Sequence, residues 1–409
     1  MSFDVRPTRV IELSLFLLAF FWTLAQLPLG LAAPGFGQPY ELTTIASNLA
    51  ATGEFRDPFG IVTGPTAHVA PIYTLLLAAV IKLLADPVKV TLAMSLLNAC
   101  FYGLAAAMMP PLSRRVYGHA APGVAGGVML AASGWLMPQW EMALTSLLFL
   151  VAAFGILWGG GARAGLWSGA CLLANPASLP ALALLVFSRS GDRARASGAE
   201  RRRFAMTVAV LALVVCTPWI LRNWAYLGSP FFVRDNFGLE LYVSNNDRAS
   251  AELVTNSVLW DSHPNQNREE AQVVAALGEG RYNQMRRQDA TDWIRTHPRQ
   301  FLGLSAMRTF YYWFPSPREG WPASLYSIIT AFCCWGVWIS RKNRLAMSLA
   351  IAAVSYSVLF ALIETHVRYR FPSLWITALL AGRGVYGIWS SRTALSRSMA
   401  RKSPAANLR

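Results

Sequence analysis

The chain has 409 residues, of which 54% are hydrophobic and only 14% charged, and its mean hydropathy is +0.37. So little charge cannot cover the surface of a soluble protein of this length, which excludes a soluble enzyme or a soluble nucleic-acid-binding module. The net charge is +15, but the basic residues fall in short runs between apolar stretches, where they orient membrane spans.

In chain order, Arg6 and Arg9 precede an apolar stretch over 10–33 that is too long for a signal-peptide core and reads as a retained first span. Further spans are expected at 89–112, 121–138, 142–160, 165–175, 176–188, 204–221, 322–340, 345–363 and 371–389. The stretch 69–86 is apolar but reads as a shallow or re-entrant segment on the far side, because counting it as a span would invert every later loop. Asn175-Pro176 breaks 165–188 into a tight helical hairpin.

Arg114-Arg115, the run from Arg189 to Arg203, Arg341–Arg344 and the tail from Arg392 all read as cytoplasmic. The expected fold class is therefore an all-α polytopic membrane protein with about ten crossings and both termini inside. It divides into a transmembrane module over 1–221 with a first external loop at 34–68, a large partly helical external loop over 222–320, and transmembrane helices with a basic tail over 321–409. Within the large loop, 268–296 has a helical pattern, and 299–314 is an aromatic, amphipathic stretch suited to the membrane surface. Cys100, Cys171, Cys216, Cys333 and Cys334 lie in apolar runs without metal-ligand spacing, so neither disulfides nor zinc is expected.

Candidate chemistry gathers on the far side. Tyr40-Glu41 follows the first span, and a carboxylate placed there suits a general base. Its plainer reading is a first-turn acid stabilising a helix. Asp57 precedes Pro58 as in an ordinary turn, and His68 stands near a helix start. A second group is Glu364-Thr-His366-Val-Arg368-Tyr369-Arg370, where two arginines on a far-side connection break the positive-inside tendency and suit phosphate oxygens. Arg222 leaves the membrane after Pro218-Trp219, Arg234, Asn236 and Asn245-Asn246 follow in the loop, and Glu141 opens an apolar run. Span-end anchoring accounts equally for Arg222 and Glu141. No Walker loop, HExxH or GxSxG is present, and the cytoplasmic loops are too short for a nucleotide-sugar domain.

The stretches PYELTTIASNLAATGEFRDPFG, GPTAHVAPIYTLLLA, TPWILRNWAYLGSPFFVRDNFGLELYVSNN, DWIRTHPRQFLGLSAMRTFYYWF and HVRYRFP, in that order, resemble the bacterial C-type (GT-C) membrane glycosyltransferases. The resembled group includes the protein O-mannosyltransferases and the lipid A aminoarabinose transferase. The resemblance implies a GT-C-like helical arrangement and inverting transfer of a sugar from a polyprenyl-phosphate donor, on the periplasmic side of a bacterial inner membrane. It implies Glu41 as general base with Asp57 second, where the family often has an Asp-Glu pair. Donor phosphate would fall on Arg368, Arg370, Tyr369 and Arg222. Tyr40, His68, Glu141, Asn245, Asn246 and His366 complete the substrate-site candidates. No metal or other cofactor is expected, although some C-type relatives use a divalent ion. The partners are the lipid-linked donor, membrane lipid and a glycan, lipid or protein acceptor, with no nucleic acid. The competing readings are a lipid-linked saccharide flippase, a polysaccharide polymerase or ligase, and a non-catalytic scaffold.

Overall fold

A computed structural model describes residues 6–27, 40–134, 139–192, 197–256 and 258–402. These residues form helices, short 3₁₀ turns and loops, and no strand occurs among them. The expected segments 28–39, with most of the approach to Glu41, and 135–138 lie outside the described residues, as does the end of the basic tail.

Helix α1 spans Arg6–Ala25. Helix α2, Glu41–Thr52, begins where the Thr43 hydroxyl accepts the Tyr40 N–H at 3.0 Å, and it stops at Gly53, whose φ of 78° suits a left-handed cap. Helix α3, Pro71–Leu84, has 14 residues, about 21 Å, which is short of the roughly 30 Å hydrocarbon core. Asp86 then caps α4, Pro87–Ala107, by accepting the Val88 and Lys89 N–H groups. Helices α5, Met109–Tyr117, and α6, Ala121–Ala132, follow. Arg114 pairs with Glu12 at 3.3 Å, so α1 and the α4–α5 rod run antiparallel.

Helix α7, Met142–Trp158, is buried on most sides, and α8, Gly161–Ala174, packs against it. The break expected at Asn175-Pro176 is present as a 3₁₀ turn, with the Asn175 side chain accepting the Ala177 N–H. Beyond it α9, Leu179–Asp192, packs on α7 and on a later helix, while α8 packs on α7 and α10, so the two arms splay apart instead of pairing as a hairpin. Helix α10, Gly198–Leu227, opens with a Ser197–Glu200 capping box and exposes Met206, Val210, Leu213 and Leu221 along its length.

A loop unit follows, comprising α11 (Phe237–Ser244), α12 (Val258–Ser262), α13 (Arg268–Leu277), α14 (Glu279–Thr296) and α15 (Pro298–Trp313). It has its own apolar cluster of Leu239, Val243, Val258, Ala271, Val274 and Tyr282, to which the first loop contributes Phe59. Helix α15 exposes Leu302, Met307 and Phe310, yet Arg308 on the same helix is fully buried. Burial arises because the guanidinium donates to the Asn245 Oδ1 at 3.0 Å, the Leu362 carbonyl at 3.1 Å and the Ser244 carbonyl.

Helices α16 (Trp321–Ile339), α17 (Arg344–Ser357), α18 (Leu359–Leu362) and α19 (Leu374–Lys402) complete the chain, with a 3₁₀ segment over Val367–Ser373. Helices α16 and α19 touch backbone to backbone: a Cβ at Gly336 would lie 1.8 Å from the Leu380 carbonyl oxygen. Close approach of this kind holds helices together where water cannot drive them. Four helical stretches among the described residues, Pro87–Tyr117, Gly198–Leu227, Trp321–Ile339 and Arg344–Leu362, are long and apolar enough to cross a membrane.

Candidate functional site

A cavity of about 850 Å³ lies where the first residues of α2, the loop before α3, the start of α7, the Asn175-Pro176 turn, the loop unit and the 3₁₀ segment meet. Its polar lining comes from Glu41, His68, Arg234, Glu240, His263 and Arg368. Its apolar lining includes Leu179, Pro180, Tyr356, Leu359, Phe360 and Ile363.

Glu41 sits in the first turn of α2 with 17% of its side chain exposed, and its Oε1 lies 3.7 Å from the His263 Nδ1. Burial raises its pKa, while its own backbone N–H and the nearby Arg368 and Arg234 pull the other way. Burial lowers both histidines, helped for His68 by His263 and Arg234, so both imidazoles are neutral at pH 7. His263 Nδ1 accepts the Asn265 N–H at 3.1 Å, and His68 Nδ1 is buried without a partner. The two rings and Phe59 pack edge to face, 5.1–6.1 Å apart.

The ligating atoms of Glu41, His68 and His263 all lie within 4.8 Å of one another. Neutral imidazoles with a carboxylate form a donor set that suits a divalent cation, and the orphaned His68 nitrogen fits that use. Three such ligands would leave an open coordination position.

Arg368 stacks over Trp140, 4.1 Å from its ring centre, and donates to the Tyr369 hydroxyl at 3.3 Å. Tyr40 stacks on the same indole at 4.8 Å and donates to the Gln139 carbonyl. Among the described residues, neither Arg368 nor Arg234 has a carboxylate within ion-pair distance. Both are cations facing a cavity. Glu141, 8% exposed, and Glu364 line the same space. Burial pushes the Glu364 carboxyl up to about 8, so it is mostly protonated at neutral pH.

The structure thus brings together Tyr40, Glu41, His68, Glu141, Arg368 and Tyr369, and it places the other candidates elsewhere. Asp57 closes its own turn, accepting the Thr63 and Gly64 N–H groups at 2.7 Å each and pairing with Arg56. Arg222 ties the first loop together by donating to the Phe55 and Thr66 carbonyls, both at 2.6 Å. Arg370 is buried against the Trp313 and Tyr326 carbonyls and the Thr330 hydroxyl. With three residues per turn, Arg368 and Arg370 must leave a 3₁₀ segment in different directions. Asn245 bonds Leu241, Leu362 and Arg308, and Asn246 bonds the Tyr242 carbonyl and the Arg248 N–H. His366 caps the 3₁₀ segment through the Arg368 N–H and pairs with Glu319 at 3.3 Å.

Sequence reasoning missed His263 and Glu240, and it picked out Arg234 without giving it a role. Their segments carry no periodic signal, although histidine itself was informative: two of only five in the chain meet here. No family model, curated protein or solved structure matches the chain.

Proposed function

We propose that this cavity transfers a glycosyl group from a polyprenyl-phosphate donor to an acceptor hydroxyl at the outer face of a bacterial inner membrane. The chain then crosses about ten times, with both termini cytoplasmic and the cavity periplasmic. The single observation carrying this reading is the placement of Glu41, a half-buried carboxylate that shares a cavity with the unpaired cation Arg368 and with apolar lining residues. A lipid-linked phosphosugar needs those three features together.

In this reading the phosphate rests on Arg368 and Tyr369, and the prenyl tail runs along Phe360, Ile363 and Leu179. Glu41 takes the proton of the acceptor hydroxyl as its oxygen bonds to the anomeric carbon. The bond from that carbon to the phosphate oxygen breaks with inversion, and Arg368 stabilises the charge gathering on the departing polyprenyl phosphate. A divalent cation on Glu41, His68 and His263 would supply Lewis acidity at the acceptor side. A polysaccharide polymerase or ligase would use the same donor chemistry.

The test is turnover by the full chain in detergent with short-chain polyprenyl-phosphate hexoses, for wild type, Glu41→Gln and Arg368→Ala. Donor consumption by wild type, lost in both variants with binding kept in Glu41→Gln, supports the reading. Binding without turnover would turn it toward a flippase, which the Asn175-Pro176 break lining the cavity would serve.

A further inference from the structure

Arg234 lines the same cavity as Glu41 and Arg368. Its Nε donates to the His68 carbonyl at 3.0 Å, which fixes the guanidinium in place. Its neighbour Asp235 does not neutralise it: the Asp235 carboxylate turns toward Gly280, on α14. Glu240, another acid lining the cavity, is engaged by the Asn236 amide at 2.9 Å. Arg234 is accordingly a second unpaired cation in the same space as Arg368.

The two arginines are anchored on different elements. Arg368 is joined to the apolar lining, since its neighbour Tyr369 stacks on Phe360 at 5.0 Å. A phosphate held there has a path for its tail. Arg234 instead is anchored on the loop of His68, whose side chain meets Glu41 and His263, the end of the site where the attacking hydroxyl belongs. The charges of both arginines act on Glu41 and lower its pKa, against the effect of burial. An unpaired guanidinium in a partly desolvated pocket is costly unless a ligand anion completes it.

We infer that Arg234 is an acceptor subsite, and that the acceptor bears an oxyanion, a phosphate or a carboxylate, next to the hydroxyl presented to Glu41. This rests on the transferase reading and adds the acceptor's chemical class to it. Sugar phosphates and uronic acids share the required chemistry.

The experiment measures binding to the full chain in detergent. Farnesyl phosphate serves as donor probe, and glucose 6-phosphate, glucuronate and glucose serve as acceptor probes. Arg234→Ala is expected to weaken the better acidic sugar at least about tenfold, the loss of one charged hydrogen bond. Farnesyl phosphate binding should stay within about twofold, which also reports that the variant is folded. Arg234→Lys should recover part of the loss, and Arg368→Ala should show the reverse pattern. The tighter of glucose 6-phosphate and glucuronate identifies the anion. Acidic sugars binding no better than glucose would overturn this inference alone, as would equal loss of farnesyl phosphate in Arg234→Ala and Arg368→Ala. Failure of wild type to bind farnesyl phosphate would overturn the transferase reading and the inference with it.

Discussion

Arg368 lies 4.1 Å above the centre of the Trp140 ring, and that indole is stacked in turn on Tyr40 at the start of α2. The stack links the donor cation to the helix that carries Glu41, although the three residues come from three distant parts of the chain. A desolvated cation–π contact contributes about 0.5–2 kcal/mol. Trp140→Ala should therefore weaken farnesyl phosphate binding by roughly 2- to 30-fold, and Trp140→Phe should restore much of it. An unchanged affinity in Trp140→Ala would remove the indole from the site.

Glu279 holds the loop bearing His68 by accepting the Ala67 N–H at 2.7 Å and the Thr66 hydroxyl. Burial pushes its carboxyl up to about 8, and the adjacent Asp235 is raised to about 7. A raised acid binds its proton more tightly in the folded state, so its folding is most favourable below the unfolded pKa near 4.5 and loses stability as pH rises toward 8. The shift corresponds to a loss on the order of 4 kcal/mol across that window. Relative to Glu279→Gln, the wild-type melting temperature in detergent should fall from pH 5 to pH 8. Asp235 contributes in the same sense and leaves a residual slope. Identical slopes in the two proteins would refute the assignment.

Arg308 joins α15 to α11 and to the end of α18 through three acceptors. Arg308→Met would leave the Ser244 carbonyl and the Asn245 amide oxygen short of a donor, while the Leu362 carbonyl keeps the Asn245 amide N–H. A cost of about 3–5 kcal/mol is expected, as when one side of a buried charged contact is removed. The readout is thermal stability in the same detergent; a drop no larger than that of a surface arginine variant such as Arg295→Met would contradict it.

If Glu41 acts directly as a base, chelators should leave turnover unchanged, and zinc should inhibit by occupying Glu41, His68 and His263. Removing the zinc should restore the rate. Turnover lost on chelation and regained with one equivalent of a divalent ion, with His263→Ala unable to bind it, would give the three residues to a metal instead.

Composition and periodicity determined what depends on near neighbours: an all-helical chain, the Pro87, Gly198, Trp321 and Arg344 helices, and the break at Asn175-Pro176. Arg368 was legible in the same way, because it stands on a connection where a cation is unexpected, whereas Glu41 reads locally as an ordinary first-turn acid and was singled out by the family resemblance. Choosing between Arg368 and Arg370 required the 3₁₀ geometry of Val367–Ser373, which points one at the cavity and the other at carbonyls. Asp57 and Arg222 have the right charges but spend them on local backbone groups. His263 and Arg234 come to the cavity of Glu41 across some 200 residues of chain. Helical periodicity reports on contacts a few residues apart, whereas convergence of that kind is set only when the loop unit packs onto the membrane helices, and this only the tertiary structure decided.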